Sequence, residues 1–135
     1  MISNGRTETY LKYKELAFDL ARARYSVYIH DHRGQGMSPR LFTDADAHDK
    51  GHVERFDDYV EDLHAFVGQV VRPEQPGRLF LLAHSMGGGI AARYLQKYPD
   101  TFTAAALSSP MLEPNAKIMV SVESSCWWFK HTPWL

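Results

Sequence analysis

The sequence predicts an α/β protein with a mostly parallel sheet and helices on both of its faces. Two observations support this prediction. Amphipathic helical segments alternate with short apolar runs along the chain, and such alternation is typical of parallel strands joined by crossover helices. In addition, residues 79–83 form a continuous apolar run that leads into a glycine-rich turn. Runs of this kind are typical of strands buried on both faces.

The first helix and strand are predicted in the N-terminal third of the chain. A helix is expected over residues 9–23, because its apolar side chains share one face. These side chains are Tyr13, Leu16, Ala17 and Leu20. Residues 25–29 are β-branched and aromatic, which indicates a strand. Residues 40–55 are polar without clear periodicity, so we expect a loop there.

The remaining elements repeat the same alternation. Residues 56–71 predict a second amphipathic helix, which Pro73 ends because proline cannot continue the hydrogen-bond ladder. A strand at residues 79–83, a helix at 85–98 and a strand at 103–107 follow. The order is therefore helix, strand, helix, strand, helix, strand.

Composition limits the class of protein. The 135 residues carry a net charge of −1, and 44% of them are hydrophobic. This balance is typical of one globular domain and offers no basic surplus for nucleic acid. The single cysteine excludes an internal disulfide and fits a reducing compartment. No apolar run approaches the ~18 residues of a membrane span. We therefore expect a cytoplasmic location.

A turn around Ser85 is the most informative segment. A strand leads into Ser85 and a helix follows at once, so the turn must be very tight. Small residues are needed at Ala83 and Gly87, because larger side chains there would collide with neighbouring elements. The pattern is G-x-S-x-G with Ala83 as its first member. It predicts that Ser85 is a nucleophile held at a helix N-terminus, and the alternative is a plain helix N-cap.

An acyl-transfer serine requires two backbone N–H donors for the oxyanion of its tetrahedral intermediate. The residue after the nucleophile, Met86, is expected to supply one donor. Arg6 is expected to supply the other, because the turn dipeptide Asn4–Gly5 comes just before the first helix. The alternative for this dipeptide is an irregular chain start.

Residues 31–38 form a second glycine-containing segment. Its two glycines, together with Asp31 and Arg33, predict a tight loop held by charge and hydrogen bonds. We expect this loop to shape the floor of the site. A catalytic role for Asp31 or His32 is not favoured, because the members of a Ser–His–Asp site converge from different loops.

Five spaced segments carry a resemblance to a known family: residues 2–8, 28–36, 51–60, 82–88 and 108–111. With these segments the chain resembles the α/β-hydrolases, most closely the lysophospholipase L2 and monoacylglycerol lipase branch. The resemblance covers about residues 2–112. It implies a partial α/β-hydrolase core over residues 1–112. Residues 113–135 would then be the start of a cap domain, or an unrelated tail.

The resemblance also implies roles for individual residues. Ser85 would be the nucleophile, and the amides of Met86 and Arg6 would form the oxyanion hole. Asn4 stands where the family more often has histidine, which leaves the backbone donor intact. In the family, the acid and the histidine of the triad follow the cap. All seven histidines of this chain precede the turn at Ser85 or shortly follow it. We therefore expect this chain to lack both groups and to hydrolyse esters very weakly alone.

The implied function is hydrolysis of carboxylic esters, with single-chain glycerolipid esters as substrates. No cofactor or metal is implied. The tail contains three tryptophans, which suit either a lid that contacts acyl chains at a membrane surface or a sequence unrelated to the family. Open sheet edges would favour self-association. The alternatives are another serine esterase, peptidase or acyltransferase on the same scaffold, and a non-catalytic, degenerate fragment.

Overall fold

The sheet has four parallel strands. The computed structural model describes residues 1–41, 51–74 and 77–112, and within them the strands are β1 (Ile2–Ser3), β2 (Ile29–His30), β3 (Phe80–His84) and β4 (Ala104–Ser108). Their order across the sheet is β2-β1-β3-β4, and each neighbouring pair is parallel. The predicted parallel α/β arrangement is confirmed. The expected tail at 113–135 and most of the expected loop at 40–55 lie outside the described residues.

Three α-helices connect these strands. They are α1 (Lys14–Arg22), α2 (Phe56–Phe66) and α3 (Met86–Lys97). A 3-10 turn at Tyr10–Tyr13 leads into α1, and the Thr9 hydroxyl caps it by accepting from the Leu11 amide at 3.2 Å. None of these helices, within the ranges that the structure describes, has both the length and the apolar character needed to cross a membrane.

The first two strands differ from the sequence prediction. The strand expected at residues 25–29 is regular only at Ile29–His30, because its partner β1 has just two residues with which to pair. Before that ladder, the Ile2 amide donates to the Tyr28 carbonyl at 2.8 Å. The strand β1 itself was not predicted, since two residues are too short to show any periodicity.

The end of the second helix also departs from its predicted pattern. After α2 the chain continues through a π-helical turn at Val67–Val71 and a short 3-10 turn. A π turn adds a residue to the helical repeat, so the apolar face shifts by one position. Val71 is therefore fully buried, whereas Val70, which follows Val67 by three residues and would share its face in a regular helix, is 45% exposed.

The core lies on one face of the sheet. There Leu81 and Ala83 of β3 pack with buried side chains of α2 and α3, among them Leu63, Ile90 and Tyr94. On the opposite face, beside α1, the sheet borders a groove of about 640 Å³ whose lining includes Phe80, Leu82 and Leu20. The prediction that β3 is buried on both faces is therefore correct for one face only. All five residues of β4 are exposed.

Candidate active site

Ser85 alone connects β3 to α3 and adopts an unusual backbone conformation. We call this strand–Ser85–helix turn the elbow. Its φ is 52° and its ψ is −118°, a combination that residues with a side chain rarely adopt. Three hydrogen bonds hold it there. The Ser85 amide donates to the Ser108 carbonyl at 3.1 Å, and the Ser85 carbonyl accepts from Gly89 at 3.2 Å and Met111 at 2.8 Å. The surrounding elements therefore fix this strained turn on both sides.

The glycines after Ser85 are required by close backbone contacts. A Cβ at Gly87 would lie 2.4 Å from the carbonyl oxygens of both Ser3 and Asn4. A Cβ at Gly88 would lie 2.7 Å from the Cα of Pro110. These distances confirm the steric reason for which the sequence required a small residue at position 87.

The Ser85 side chain is half-buried and makes no cap hydrogen bond with α3. The alternative reading of Ser85 as a helix N-cap is therefore not supported. Within the described residues, the Met86 amide at the start of α3 has no backbone acceptor. A half-buried hydroxyl thus stands at a helix N-terminus, where the free N–H groups and the helix dipole favour negative charge.

Residues 4–7, the N-terminal loop, lie against this elbow. Asn4 is fully buried, and its carbonyl oxygen meets the Gly87 position. A Cβ at Gly5 would lie 3.1 Å from Nδ1 of His84, the residue before Ser85. The alternative of an irregular chain start is thus not supported, because Asn4 and Gly5 are packed against both flanks of Ser85.

The peptide group between Asn4 and Gly5 is held on both sides. His32 donates from Nε2 to the Asn4 carbonyl at 3.0 Å. The Gly5 amide donates to Oε2 of Glu8 at 2.6 Å. Both polar groups of this peptide are therefore engaged, which fixes the direction of the chain as it enters Arg6.

Gln35 holds the other side of Arg6. Its side-chain oxygen accepts from the Thr7 amide, and its Nε2 donates to the Gly5 carbonyl at 3.5 Å. Arg6 is exposed, and its own amide has no acceptor within the described ranges. The amides on both sides of Arg6 are bonded, so in this loop the Arg6 N–H remains available to an incoming group.

The loop at residues 31–38 has the structural role that the sequence predicted. The buried Asp31 carboxylate accepts from the amides of Tyr10 at 2.7 Å and Met37 at 3.0 Å. Oδ1 also accepts from Nδ2 of Asn4 at 3.4 Å. The Arg33 guanidinium forms a bidentate pair with the carboxylate of Asp62 in α2, donating from Nε at 2.6 Å and from Nη2 at 2.7 Å. Asp31 thus ties this loop to the N-terminal loop, and Arg33 ties it to the helix layer.

Two groups beside the N-terminal loop have shifted pKa values. Burial opposes ionisation of Glu8, but hydrogen bonds from Lys12, Tyr13 and Gly5 outweigh it and lower the Glu8 pKa to about 2. Burial and, to a smaller extent, the neighbouring His30 lower the pKa of His32 to about 3, although the hydrogen bond to Asn4 opposes the shift. Near neutral pH the loop is therefore held by a carboxylate on one side and a neutral imidazole on the other.

Four histidines in the described part of the chain contact groups other than Ser85, and one of them, His64, has its Nδ1 3.2 Å from the Tyr94 hydroxyl. His84 faces Glu8, with Nδ1 3.4 Å from Oε1, as expected for a side chain that the turn directs away from Ser85. His30 and His32 lie among the aromatic rings of Phe66 and Tyr59. His52 is half-buried in the segment before α2. His48 and His131 lie outside the described residues.

Sequence reasoning missed Glu8 and Gln35. Both act through contacts with the backbone of the N-terminal loop, and Gln35 reaches it from 28 residues away for the Thr7 contact. One signal for Gln35 was available. It stands between Gly34 and Gly36, which both have positive φ values, and such glycines often indicate a side chain placed by a tight turn.

Comparison with known proteins places this geometry in a family. The family model Hydrolase_4, described as serine aminopeptidase, S33, matches residues 1–134. The lysophospholipase L2 of Escherichia coli K12 is 51% identical over 111 residues, which are 82% of this chain and 32% of that protein. The monoacylglycerol lipase of Mycolicibacterium smegmatis is 31% identical over 115 residues, 85% of this chain and 38% of that protein.

A solved structure agrees with these relatives. The crystal structure of Paleococcus ferrophilus monoacylglycerol lipase matches with a TM-score of 0.67 and 25% identity, covering 88% of this chain and 43% of that one. The chain thus spans about a third of the length of the curated relatives named above. The parallel sheet, the elbow at Ser85 and the family match over residues 1–134 lead to one conclusion: the chain belongs to the Hydrolase_4 family of α/β-hydrolases and is related to lysophospholipases and monoacylglycerol lipases.

Proposed function

We propose that this chain carries the nucleophile and oxyanion hole of a serine hydrolase that acts on carboxylic esters. The observation that carries the proposal is the strained conformation of Ser85 between β3 and α3. This conformation holds a half-buried hydroxyl at a helix N-terminus, the arrangement that characterises a nucleophile elbow. The amides of Met86 and Arg6 are the proposed oxyanion donors, since neither has a backbone acceptor within the described residues.

The proposed reaction has two stages. The Ser85 oxygen attacks the ester carbonyl carbon, the C–O bond to the alcohol breaks, and the alcohol leaves with a proton. Water then attacks the acyl-serine, releasing the acid and restoring the hydroxyl. In both tetrahedral intermediates the negative oxygen would receive hydrogen bonds from Met86 and Arg6. The reaction needs no cofactor.

The proposed substrates are single-chain glycerolipid esters. The names of the relatives support this class, because lysophospholipase L2 and monoacylglycerol lipase are both among them. The family description, serine aminopeptidase, supports a second candidate, a peptidase on the same scaffold. An esterase or acyltransferase with other substrates is the remaining enzymatic alternative.

We also propose that the chain lacks a general base and is a very weak hydrolase by itself. This is supported by the contacts of His30, His32 and His84, which are made with Phe66, Tyr59 and Glu8 rather than with Ser85. Without a base the hydroxyl is a poor nucleophile, and removal of triad members typically costs ~10⁴-fold or more in rate. The non-catalytic alternative differs from this proposed weak hydrolase in one respect: it does not require an oxyanion site.

A fluorophosphonate probe tests the proposal. The Ser85 oxygen would form a bond to phosphorus, the P–F bond would break, fluoride would leave and the hydroxyl proton would pass to water. We expect slow labelling that maps to Ser85 and is absent from Ser85→Ala. Equal labelling of both forms would contradict the assignment of the nucleophile.

A substrate comparison then separates the candidate classes. We expect the residual turnover of the chain on a lysophospholipid or monoacylglycerol to exceed that on an aminoacyl p-nitroanilide, and to require Ser85. Preferential Ser85-dependent cleavage of the anilide would favour the peptidase. Ser85-dependent p-nitrophenyl ester turnover at an ordinary enzyme rate would contradict the proposed lack of a base.

The remaining proposals concern organisation and location. Residues 1–112 are proposed as a partial hydrolase core, and residues 113–135 as the start of a cap, which the family match to residue 134 supports over an unrelated tail. The exposed strand β4 supports self-association. We also propose a cytoplasmic location with contact at the inner face of a membrane; the name lysophospholipase L2 supports only that a relative acts on lipids. Sedimentation velocity and vesicle co-sedimentation test the second and third points.

A further inference from the structure

Gln35 is buried, only 7% exposed, and its carboxamide faces backbone rather than other side chains. The oxygen accepts from the Thr7 amide and the nitrogen donates to the Gly5 carbonyl at 3.5 Å. A carboxamide carries an acceptor oxygen and a donor nitrogen on the same carbon, so it can accept from one peptide group and donate to the next. Gln35 therefore brackets Arg6 and bonds the peptide groups on either side of it.

The backbone of Gln35 is itself held in place. The Gln35 backbone amide donates to the His32 carbonyl at 3.0 Å, and the Gln35 backbone carbonyl accepts from the Ser38 amide at 3.0 Å. The glycines on both sides have φ values of 77° and 50°, and a Cβ at Gly36 would lie 2.1 Å from Oδ2 of Asp31. Both backbone hydrogen bonds of Gln35 thus lie within residues 31–38.

We propose that Gln35 is a positioning residue for the oxyanion hole, which it serves by holding the Arg6 N–H toward the elbow and free of internal acceptors. This inference rests on the proposed function of Ser85. Without the two hydrogen bonds from the Gln35 carboxamide, the peptide groups on either side of Arg6 can rotate. The Arg6 amide then no longer has one fixed direction. Oxyanion donors stabilise a transition state only when they are already aimed at the developing charge.

The main test compares Gln35→Met with the unchanged chain. Methionine keeps the length and much of the volume of glutamine but can make neither hydrogen bond. We expect the maximal rate of Ser85 labelling by an alkyl fluorophosphonate to fall about tenfold to a hundredfold, less than the 10²–10³ for outright loss of a donor. The probe concentration for half-maximal rate should stay the same, because the alkyl group binds elsewhere.

Two further variants separate positioning from a general loss of structure. Ser38→Ala removes a hydrogen bond of 2.6 Å to the Asp31 carbonyl within the same loop, without touching residues 4–7. We expect it to label at the unchanged rate. Gln35→Glu keeps an acceptor for Thr7 but loses the donor to Gly5, so labelling should slow while the Thr7 amide stays protected from hydrogen exchange. Slowing in Ser38→Ala equal to that in Gln35→Met would overturn the inference.

Hydrogen exchange of the Thr7 amide gives a readout that does not depend on Ser85. It should be slow in the unchanged chain and at least tenfold faster in Gln35→Met. Equal exchange in both would overturn the inference whatever the labelling shows, as would equal maximal labelling rates. If the unchanged chain shows no Ser85-dependent labelling, the proposed function fails and the inference falls with it. Failure of the proposed function can be told from failure of the inference, because labelling is then absent even when Gln35 is unchanged.

Discussion

At the scale of single residues, the site depends on positions where the backbone approaches closely. Ser85 is held at φ 52° by three backbone hydrogen bonds, and Gly87 gives Ser3 and Asn4 room to lie against the elbow. Backbone atoms cannot move aside as a flexible side chain can. The strained Ser85 and the absence of a side chain at Gly87 therefore act together: they allow the N-terminal loop to lie beside the nucleophile.

Substitution of Gly87 by alanine tests this close approach. The new Cβ would lie 2.4 Å from two carbonyl oxygens, so we expect Gly87→Ala to lower the free energy of unfolding by about 1–3 kcal/mol, as overpacking does. It should also abolish detectable labelling of Ser85. Urea denaturation measures the first effect and a fluorophosphonate the second.

Gly68→Ala is the matched control for that substitution. A Cβ at Gly68 meets nothing within 4 Å, and this residue lies in the π turn without a positive φ. We expect its free energy of unfolding to rise by about 0.4–1 kcal/mol, because alanine restricts the unfolded chain more than glycine does. Equal destabilisation by both alanines would contradict the role of close backbone contact at position 87.

At the scale of elements, sequence patterns predicted the features that neighbouring residues determine. They missed the features that depend on contacts between residues far apart in the sequence. The elbow could be predicted because sterics link Ser85, Gly87 and the apolar strand before them. The π turn after α2 could not, since the same valines fit a regular helix. The bracket by Gln35 also escaped prediction, because it joins residues far apart in sequence and only the fold brings them together.

The π turn makes a testable difference between two adjacent valines. Val71 is fully buried and Val70 is 45% exposed. We expect Val71→Ala to lower the free energy of unfolding by about 2 kcal/mol, for the loss of two buried methyl groups and the cavity left behind. Val70→Ala should change it by less than about 0.5 kcal/mol. The reverse order in chemical denaturation would mean that the helix continues in regular register.

At the scale of the whole molecule, buried ionisable groups link folding to pH. Burial lowers the pKa of His30, at the end of β2, and lowers that of His32, two residues later, to about 3. The unfolded chain binds a proton at each histidine near pH 6.5, whereas the folded chain does so only at lower pH. Stability is therefore fully present above pH 6.5 and lost as the pH falls below it.

The size of this loss follows from the pKa of His32. Between pH 7.5 and pH 5, this group alone should reduce the free energy of unfolding by about 2 kcal/mol. Glu8, whose pKa is lowered to about 2, adds its own loss only below its unfolded value near 4.5. Denaturation midpoints at pH 7.5, 6.5 and 5 measure the effect. His32→Asn should flatten the dependence, and an unchanged dependence in that variant would contradict the assignment to His32.

The central claim is that the amides of Met86 and Arg6 receive the oxygen of a group bound to Ser85. A crystal structure of the chain after phosphonylation of Ser85 tests it most directly. We predict that the phosphonyl oxygen lies about 2.7–3.1 Å from both amide nitrogens, the range expected of oxyanion donors. An oxygen that points to solvent, or that is held by other groups while both amides stay unoccupied, would contradict the account.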